Sequence, residues 1–258
     1  MLKIATWNVN SLRVRLPQVL EWIKEHKPDV LALQETKLPD ENFPIDEINQ
    51  AGYECVFSGQ RTYNGMAILS REKCKDIITD IPTLQDPQRR VLGVTVQGIR
   101  ILDLYIPNGE SVVSDKYVYK LNWLKHLREF LAEELKRYPK MILLGDFNIA
   151  PEDEDVYDPK AWENQVLFSE KERVAFQDIL KLGFEDCFRL FTQPERSYTW
   201  WDYRMNAFRR KMGLRIDHIL ASKMLVPLCK HCEIDKIPRS WERPSDHTVV
   251  MADFDSGG

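Results

Sequence analysis

Met141-Ile-Leu-Leu-Gly-Asp-Phe-Asn148 is a fully apolar strand run that stops at a glycine and a carboxylate. Four aliphatic residues followed by Gly145-Asp146 put a polar group at the end of a buried strand. Upstream, Leu121, Leu124, Leu127, Leu131 and Leu135 recur at helical spacing, so residues 115–138 read as a long amphipathic helix. Downstream, Ser169-x-x-Glu172 is a capping-box pattern, and the helix it starts should stop near Gly183. The strand pattern has an echo near the N-terminus. Ile4-Ala-Thr-Trp-Asn8-Val-Asn10, like Ile142-Leu-Leu-Gly-Asp146-Phe-Asn148, is an apolar strand ending in polar-x-Asn. Two similar halves meeting at one cleft would explain it.

Residues 3–8 read as a strand, and Pro17 as the opening of a helix with Leu16, Leu20 and Ile23 on one face. Pro28-Asp29 is a break. Val30–Leu33 is a buried strand running to Glu35. Tyr53–Gly59 and Gly65–Arg71 suggest a hairpin around Tyr63-Asn64-Gly65, and Val91–Val96 with Ile99–Ile106 another around Gln97-Gly98. Ile216–Leu220 and Val249–Asp253 are late strands. Irregular alternation with hairpins excludes a regular (β/α)8 barrel and favours two mixed sheets with helices outside. No Pro/Gly/Ser-rich linker splits the chain, so residues 1–254 are expected to form one domain and 255–258 a disordered tail.

The chain has 258 residues, 43% hydrophobic and 29% charged, enough for a sizeable core and a soluble surface. No run approaches the ~18 apolar residues of a membrane span. No signal peptide precedes the first strand, which implies a cytoplasmic protein with its five cysteines reduced. Cys229-Lys230-His231-Cys232 could be half of a zinc site, but no second pair follows at ligand spacing, so ordinary strand or loop cysteines are expected. The net charge of −4 argues against a nucleic-acid partner only globally. Arg204, Arg209, Arg210, Lys211 and Arg215 interleave with Trp200, Trp201, Tyr203 and Phe208. A polyanion responds to such a local patch, although a solvated basic loop would look the same.

Six polar clusters lie on or beside strand-like runs: Trp7-Asn8-Val9-Asn10, Leu33-Gln34-Glu35-Thr36, Tyr105-Ile106-Pro107-Asn108-Gly109, Gly145-Asp146-Phe147-Asn148, Arg215-Ile216-Asp217-His218 and Arg243-Pro244-Ser245-Asp246-His247. Phosphodiester hydrolysis needs a hard cation on a phosphate oxygen, a base for water, and donors for the pentacoordinate oxyanion. Glu35, Asp246 and the amides of Asn8 and Asn10 offer oxygens of the kind Mg²⁺ takes. Asp146, fixed at a strand end, suits water activation. Asn148 could donate an N–H to phosphate. His247 could bind phosphate as an imidazolium if a carboxylate keeps it protonated, and Asp217 is the natural partner.

Seven segments in order carry a resemblance: Trp-Asn-Val-Asn-Ser-Leu-Arg (7–13), Leu-Gln-Glu-Thr-Lys (33–37), Tyr-Ile-Pro-Asn-Gly (105–109), Gly-Asp-Phe-Asn (145–148), Tyr-Thr-Trp-Trp-Asp-Tyr-Arg (198–204), Arg-Ile-Asp (215–217) and Pro-Ser-Asp-His (244–247). Over nearly the whole chain it resembles the exonuclease III family of abasic-site (AP) endonucleases, within the endonuclease/exonuclease/phosphatase superfamily that includes DNase I. Gly-Asp-x-Asn and Ser-Asp-His specify only the superfamily. Tyr-Thr-Trp-Trp-Asp-Tyr and Arg-Ile-Asp narrow it to the repair nucleases.

The resemblance implies a four-layered α/β sandwich of two packed mixed sheets. It implies a Mg²⁺-dependent enzyme, with Mn²⁺ as a substitute, cutting double-stranded DNA 5′ to abasic sites by water attack on phosphorus. A 3′-hydroxyl remains, and 3′–5′ exonuclease and 3′-phosphatase activities on blocked 3′ ends accompany the incision. By matching motif, Glu35 is the main metal ligand with Asn8, Asn10 and Asp246 nearby. Asp146 activates water, Asn148 and Tyr105 contact the scissile phosphate, and His247 pairs with Asp217. Trp200, Leu214 and Ile216 match an apolar pocket for the flipped-out baseless sugar. Arg13, Tyr63, Asn108, Arg204 and Asn206 match positions along the DNA backbone or entering the helix. A monomer is implied, with no membrane partner.

The chain departs from the animal members in lacking their N-terminal extension. Its loop after Asn108 resembles the bacterial type without their inserted arginine, and Leu214 replaces an aromatic. These differences bear on the ratio of endonuclease to exonuclease activity. Two other readings compete. A small-phosphoester or lipid-phosphate hydrolase would not require the basic-aromatic 198–215 segment. A non-catalytic DNA-binding homologue would show gaps among the polar clusters, and none is seen.

Overall fold

The fold follows from two periodicities: residues two apart share a sheet face, and residues three or four apart share a helix face. The computed structural model describes residues 1–255. In chain order the elements are β1 (Leu2–Asn8), α1 (Leu12–His26), β2 (Val30–Gln34), α2 (Ile45–Gln50), β3 (Glu54–Ser58), β4 (Met66–Ser70), β5 (Lys75–Ile78), β6 (Val91–Val96), β7 (Ile99–Tyr105), α3 (Asp115–Arg137), β8 (Met141–Asp146), α4 (Pro159–Trp162), α5 (Glu170–Leu180), β9 (Phe184–Asp186), β10 (Asp217–Ser222), β11 (Cys229–Asp235) and β12 (Val249–Phe254).

One sheet has the order β11-β12-β1-β2-β4-β3, the other β9-β10-β8-β7-β6-β5. In each, a central parallel pair, β1/β2 or β7/β8, is flanked by antiparallel partners. The strands carrying the sequence echo, β1 and β8, therefore hold equivalent third positions in the two sheets.

Inward-facing Ile4, Ala32, Ile68 and Val250 of the first sheet share a core with Val94, Ile101, Ile142 and Ile219 of the second. The alternate residues Trp7, Leu31 and Leu33 pack under Val19, Trp22 and Ile23 of α1. On the far side Leu102, Leu104, Leu143 and Leu220 meet Leu124, Leu127 and Leu131 of α3 and Phe176 and Ile179 of α5. The result is the α/β/β/α sandwich that the resemblance implied. Strands clad on both faces must be apolar throughout, which is why β2 and β8 read as unbroken aliphatic runs. A Leu127→Ala change in the outer layer would cost about 2–5 kcal/mol.

One polar bridge crosses the apolar layer between the sheets. The Gln34 side-chain amide donates to Thr6 Oγ1 at 2.8 Å and to Asp103 Oδ1 at 2.7 Å. Burial raises the Asp103 carboxyl well above the usual carboxylate range, and the Gln34 hydrogen bond only partly opposes the rise. The bridge ties β1 and β2 to β7 close to the polar ends of these strands.

Several expectations shift in detail. The first helix begins at Leu12, and Pro17 lies inside it. The Ser11 and Leu12 N–H groups donate to the carbonyls of Glu35 and Thr36, and this tie between loops starts the helix before the proline. Cys229 and Cys232 sit in β11 with their thiols in the inter-sheet core, behaving as small hydrophobes. The short strands β5 and β9 and the helices α2 and α4 carry too little periodicity to be read from sequence. Asp255, expected in the tail, donates its N–H to the Leu228 carbonyl at 2.8 Å. The rest of that expected tail lies outside the described residues. No helix among the described residues is long and apolar enough to cross a membrane.

Candidate active site

The sheet pairing brings the polar clusters together. Asn8 ends β1 beside Gln34 at the end of β2, and Tyr105 ends β7 opposite Asp146 at the end of β8. Asp217, first residue of antiparallel β10, pairs with Asp146 from the other side. The C-terminal ends of a parallel pair and the start of its antiparallel neighbour share one edge of a sheet. Because the two sheets repeat this arrangement face to face, both edges open on the same cleft. Glu35 follows β2 and His247 precedes β12, so both lie at that edge.

Ligand atoms of Glu35, Asp146 and His247 lie within 4.8 Å of one another. The Asn8 amide donates to Glu35 Oε1 at 2.9 Å and to Asp146 Oδ2 at 2.8 Å, spanning the two sheets. Its own oxygen accepts the Asn10 N–H. Asn10 donates to Asp246 Oδ1 at 2.9 Å, and the Trp200 indole N–H donates to Asp246 Oδ2 at 3.0 Å. His247 Nδ1 donates to Asp217 Oδ2 at 2.8 Å, while Nε2 stands 3.6 Å from Asp146 Oδ2. The Asn148 N–H donates to Asp146 Oδ1 at 2.9 Å. The Asn148 side chain donates to the Ile106 carbonyl and accepts from Asn108 at 3.2 Å.

Of the four expected ligands, Glu35 stands in the carboxylate cluster. Asn8 enters it through its amide nitrogen. Asn10 and Asp246 form an adjoining pair, the Asn10 oxygen being taken by the Lys37 ammonium at 2.5 Å.

Burial pushes the Asp146 carboxyl up, the nearby His247 cation opposes the rise, Asp217 and Glu35 add to it, and the value reaches about 7. Burial pulls the His247 imidazole down, but Asp217 and Asp146 more than offset this and hold it at about 10. His247 is therefore an imidazolium at neutral pH. Burial, with Glu35 and Asp146 close by, raises Tyr105 well above the ordinary phenol range and keeps it a neutral donor.

The remaining expected residues line the approaches. Tyr63 and Asn108 border a cleft of about 730 Å³ beside Glu35, with Arg90, Tyr119 and Lys116. Arg13 borders a second groove with Lys37 and Arg61. Arg204 and Asn206 are exposed on a loop in which Met205 and Asn206 both have positive φ. Trp200 is half-buried and bridges to Leu214 and His247. Leu214 and Ile216 lie behind it, fully buried against Val156, Leu167 and Phe168.

Several contributors escaped the sequence reading. Thr199 Oγ1 accepts the N–H groups of Ile216 and Asp217, fixing the start of β10. Ser245 donates to the Asn8 carbonyl at 2.6 Å, tying the Ser-Asp-His turn to β1. The Arg90 guanidinium lies 4.6 Å from the Tyr105 ring centroid. Lys37 pairs with Glu35 at 3.1 Å. Thr199, Ser245 and Lys37 lie within the motif segments at 198–204, 244–247 and 33–37, whereas Arg90 lies in none of them.

Residues 5–247 match the Endonuclease/Exonuclease/phosphatase family. Exodeoxyribonuclease III of Haemophilus influenzae is 33% identical over 266 residues, covering 98% of this chain and 100% of that protein. The structure of a 3′ phosphatase, NExo, from Neisseria bound to product DNA hairpin superposes with a TM-score of 0.97 at 48% identity, covering 99% of this chain and 100% of that one. An AP endonuclease from Archaeoglobus fulgidus superposes with a TM-score of 0.95 at 42% identity, with the same coverage.

Proposed function

The chain belongs to the endonuclease/exonuclease/phosphatase family as a DNA-repair nuclease of exonuclease III type, and from that premise we propose a Mg²⁺-dependent phosphodiesterase that breaks P–O3′ bonds in double-stranded DNA. Its substrates are duplexes with abasic sites, cut on the 5′ side, and duplexes with blocked or phosphorylated 3′ ends. Incision, 3′–5′ exonuclease and 3′-phosphatase reactions all release the same 3′-hydroxyl, so one site serves all three. The carrying observation is the meeting of Glu35, Asp146 and His247 within 4.8 Å at the shared edge of both sheets.

The donor set fits a hard cation. Glu35 and Asp146 supply oxygens with the Asp246 carboxylate adjoining, cysteine is lacking from the cluster, and the one histidine is protonated. Burial, with Asp217 and Glu35 close by, lifts Asp146 toward neutral pH, and added positive charge opposes that rise. Glu35 is proposed as the principal ligand, with Asp246, Asn8 and Asn10 completing or orienting the set, and Mn²⁺ would serve in place of Mg²⁺. A bound ion would neutralise a phosphate oxygen and the departing alkoxide.

The chain's own groups supply the rest. Asp146 takes a proton from the attacking water as its oxygen bonds to phosphorus. His247 donates from Nε2 to a non-bridging oxygen, with Asp217 holding the ring at Nδ1. Tyr105 and Asn148 donate to the remaining oxygens, the P–O3′ bond breaks, the pair of electrons leaves on O3′, which takes a proton from solvent, and Asp146 returns its proton to solvent. Trp200, backed by the buried Leu214 and Ile216, forms the apolar wall for an extruded baseless sugar, where a full nucleotide would not fit. Arg13, Tyr63, Asn108, Arg204 and Asn206 contact the backbone and make binding salt-sensitive. Residues 1–254 act as one domain in a cytoplasmic monomer.

The test is a panel of abasic, 3′-recessed, 3′-phosphate and intact duplexes, each with Mg²⁺ and with chelator. Cation-dependent cleavage of the first three, leaving 3′-hydroxyls, is expected. Equal cleavage of intact duplex, or activity surviving chelation, refutes the proposal.

A further inference from the structure

We infer that Lys120 is a positioning residue of this site, its buried ammonium fixing the two loops that carry Asn108 and Asn148. Lys120 lies in the interior of α3 and is fully buried. Its three ammonium protons have three acceptors: the Asn148 carbonyl at 2.7 Å, the Asn108 carbonyl at 3.0 Å and Glu172 Oε1 at 2.5 Å. An isolated buried ammonium is costly, so a lysine retained here must be paired and saturated. Two of its three partners are backbone atoms of proposed phosphate-contacting residues.

The neighbourhood is built around that ammonium. Glu172 closes the capping box at the start of α5 by accepting from the Ser169 and Leu167 N–H groups. Ser114, the N-cap of α3, donates to the Gly109 carbonyl at 2.7 Å. Gly109 has φ +95°, and a Cβ there would come within 3.1 Å of Lys120 Cδ, so a side chain at this position would be strained and would crowd the lysine. Asn148 itself has φ +48°, in the left-handed region that asparagine enters more readily than most residues with a side chain. Its N–H is fixed by Asp146 and its carbonyl by Lys120, so the two bonds clamp the peptides on either side of the side chain. The Asn108-to-Asn148 hydrogen bond then depends on the same ammonium through both backbones.

The inference rests on the proposed phosphate role of Asn148. The experiment measures single-turnover release from a 3′-phosphate duplex with Mg²⁺ for the parent, Lys120→Met, Asn148→Ala and the double variant. Lys120→Met should lower the rate about 30-fold, within the range for outer-shell orienting groups, with KM changed less than about threefold. In the Asn148→Ala background it should cost less than about threefold, because the group it positions is gone. A Lys120→Met rate within threefold of the parent, or an equal loss in both backgrounds, overturns the inference.

Lys120→Met leaves Glu172 unpaired, so Lys120→Met/Glu172→Gln is measured alongside and should fold with the same rate deficit. Amide hydrogen exchange at Asn148 gives a readout independent of turnover and should accelerate about tenfold in Lys120→Met. Unchanged exchange refutes the clamp even if the DNA reading stands. A parent inactive on every duplex, with accelerated exchange in the variant, refutes the DNA reading and leaves the clamp intact.

Discussion

Replacing Asp146 by Asn isolates the water-activating role from shape. The new side chain can still accept the Asn148 N–H through its oxygen, preserving the 2.9 Å bond. Its nitrogen then faces the Asn8 amide, which donates to Asp146 Oδ2 at 2.8 Å, so Asn8 must turn its oxygen inward. What disappears is the basic oxygen and one negative charge, 3.6 Å from His247 Nε2. Removing a positioned general base costs about 10²–10⁴-fold. Taking the middle of that range, turnover should fall about 1,000-fold, or about 4 kcal/mol in the barrier. DNA affinity should hold or improve, since a charge repelling phosphate is gone. Single-turnover incision of a duplex with one abasic analogue gives the rate, and anisotropy titration the affinity. The parent rate should also fall below about pH 7 as Asp146 takes up a proton, a limb that higher Mg²⁺ shifts to lower pH and that Asp146→Asn lacks. Turnover of the variant within threefold of the parent, or an unchanged pH limb, would refute the assignment.

Three further outcomes follow from the geometry. Glu35→Ala should raise the Mg²⁺ concentration for half-maximal activity about tenfold or more; an unchanged titration rejects Glu35 as ligand. Trp200→Ala removes the half-buried wall and the indole bond to Asp246, and should impair abasic incision more than removal of a 3′ phosphate; equal losses count against the pocket. His218 is buried beside Arg215, and burial and then that cation lower its imidazole to about 4. Its folded value lies below its unfolded ~6.5, so its contribution to stability is complete above pH 6.5 and is lost as pH falls toward 4, about 3 kcal/mol in all. Asp146, raised by burial, titrates in the opposite sense over the same window, so the difference between parent and His218→Gln in urea unfolding at pH 7 and pH 4.5 isolates the effect; parallel losses in both would disprove it.

Most of the strands, the long helix and the chemistry at the strand ends are legible in the chain alone, because burial on one face or both imposes a local period. The aliphatic run before Asp146 and its counterpart before Asn8 needed no partner to be read. The resemblance then supplied the roles. The rest depends on long-range contacts. Asn8 reaches Asp146 across 138 residues of chain, and which amide atom it presents depends on carboxylates from two sheets. Edge strands such as β5 pair on one side only and carry little pattern. Lys120 sits on the apolar stripe of α3 with Tyr117, Leu124 and Leu127. A lysine at one helix position looks like any solvated charge until the carbonyls and carboxylate that desolvate it arrive from elsewhere in the chain, and no local period encodes that arrival.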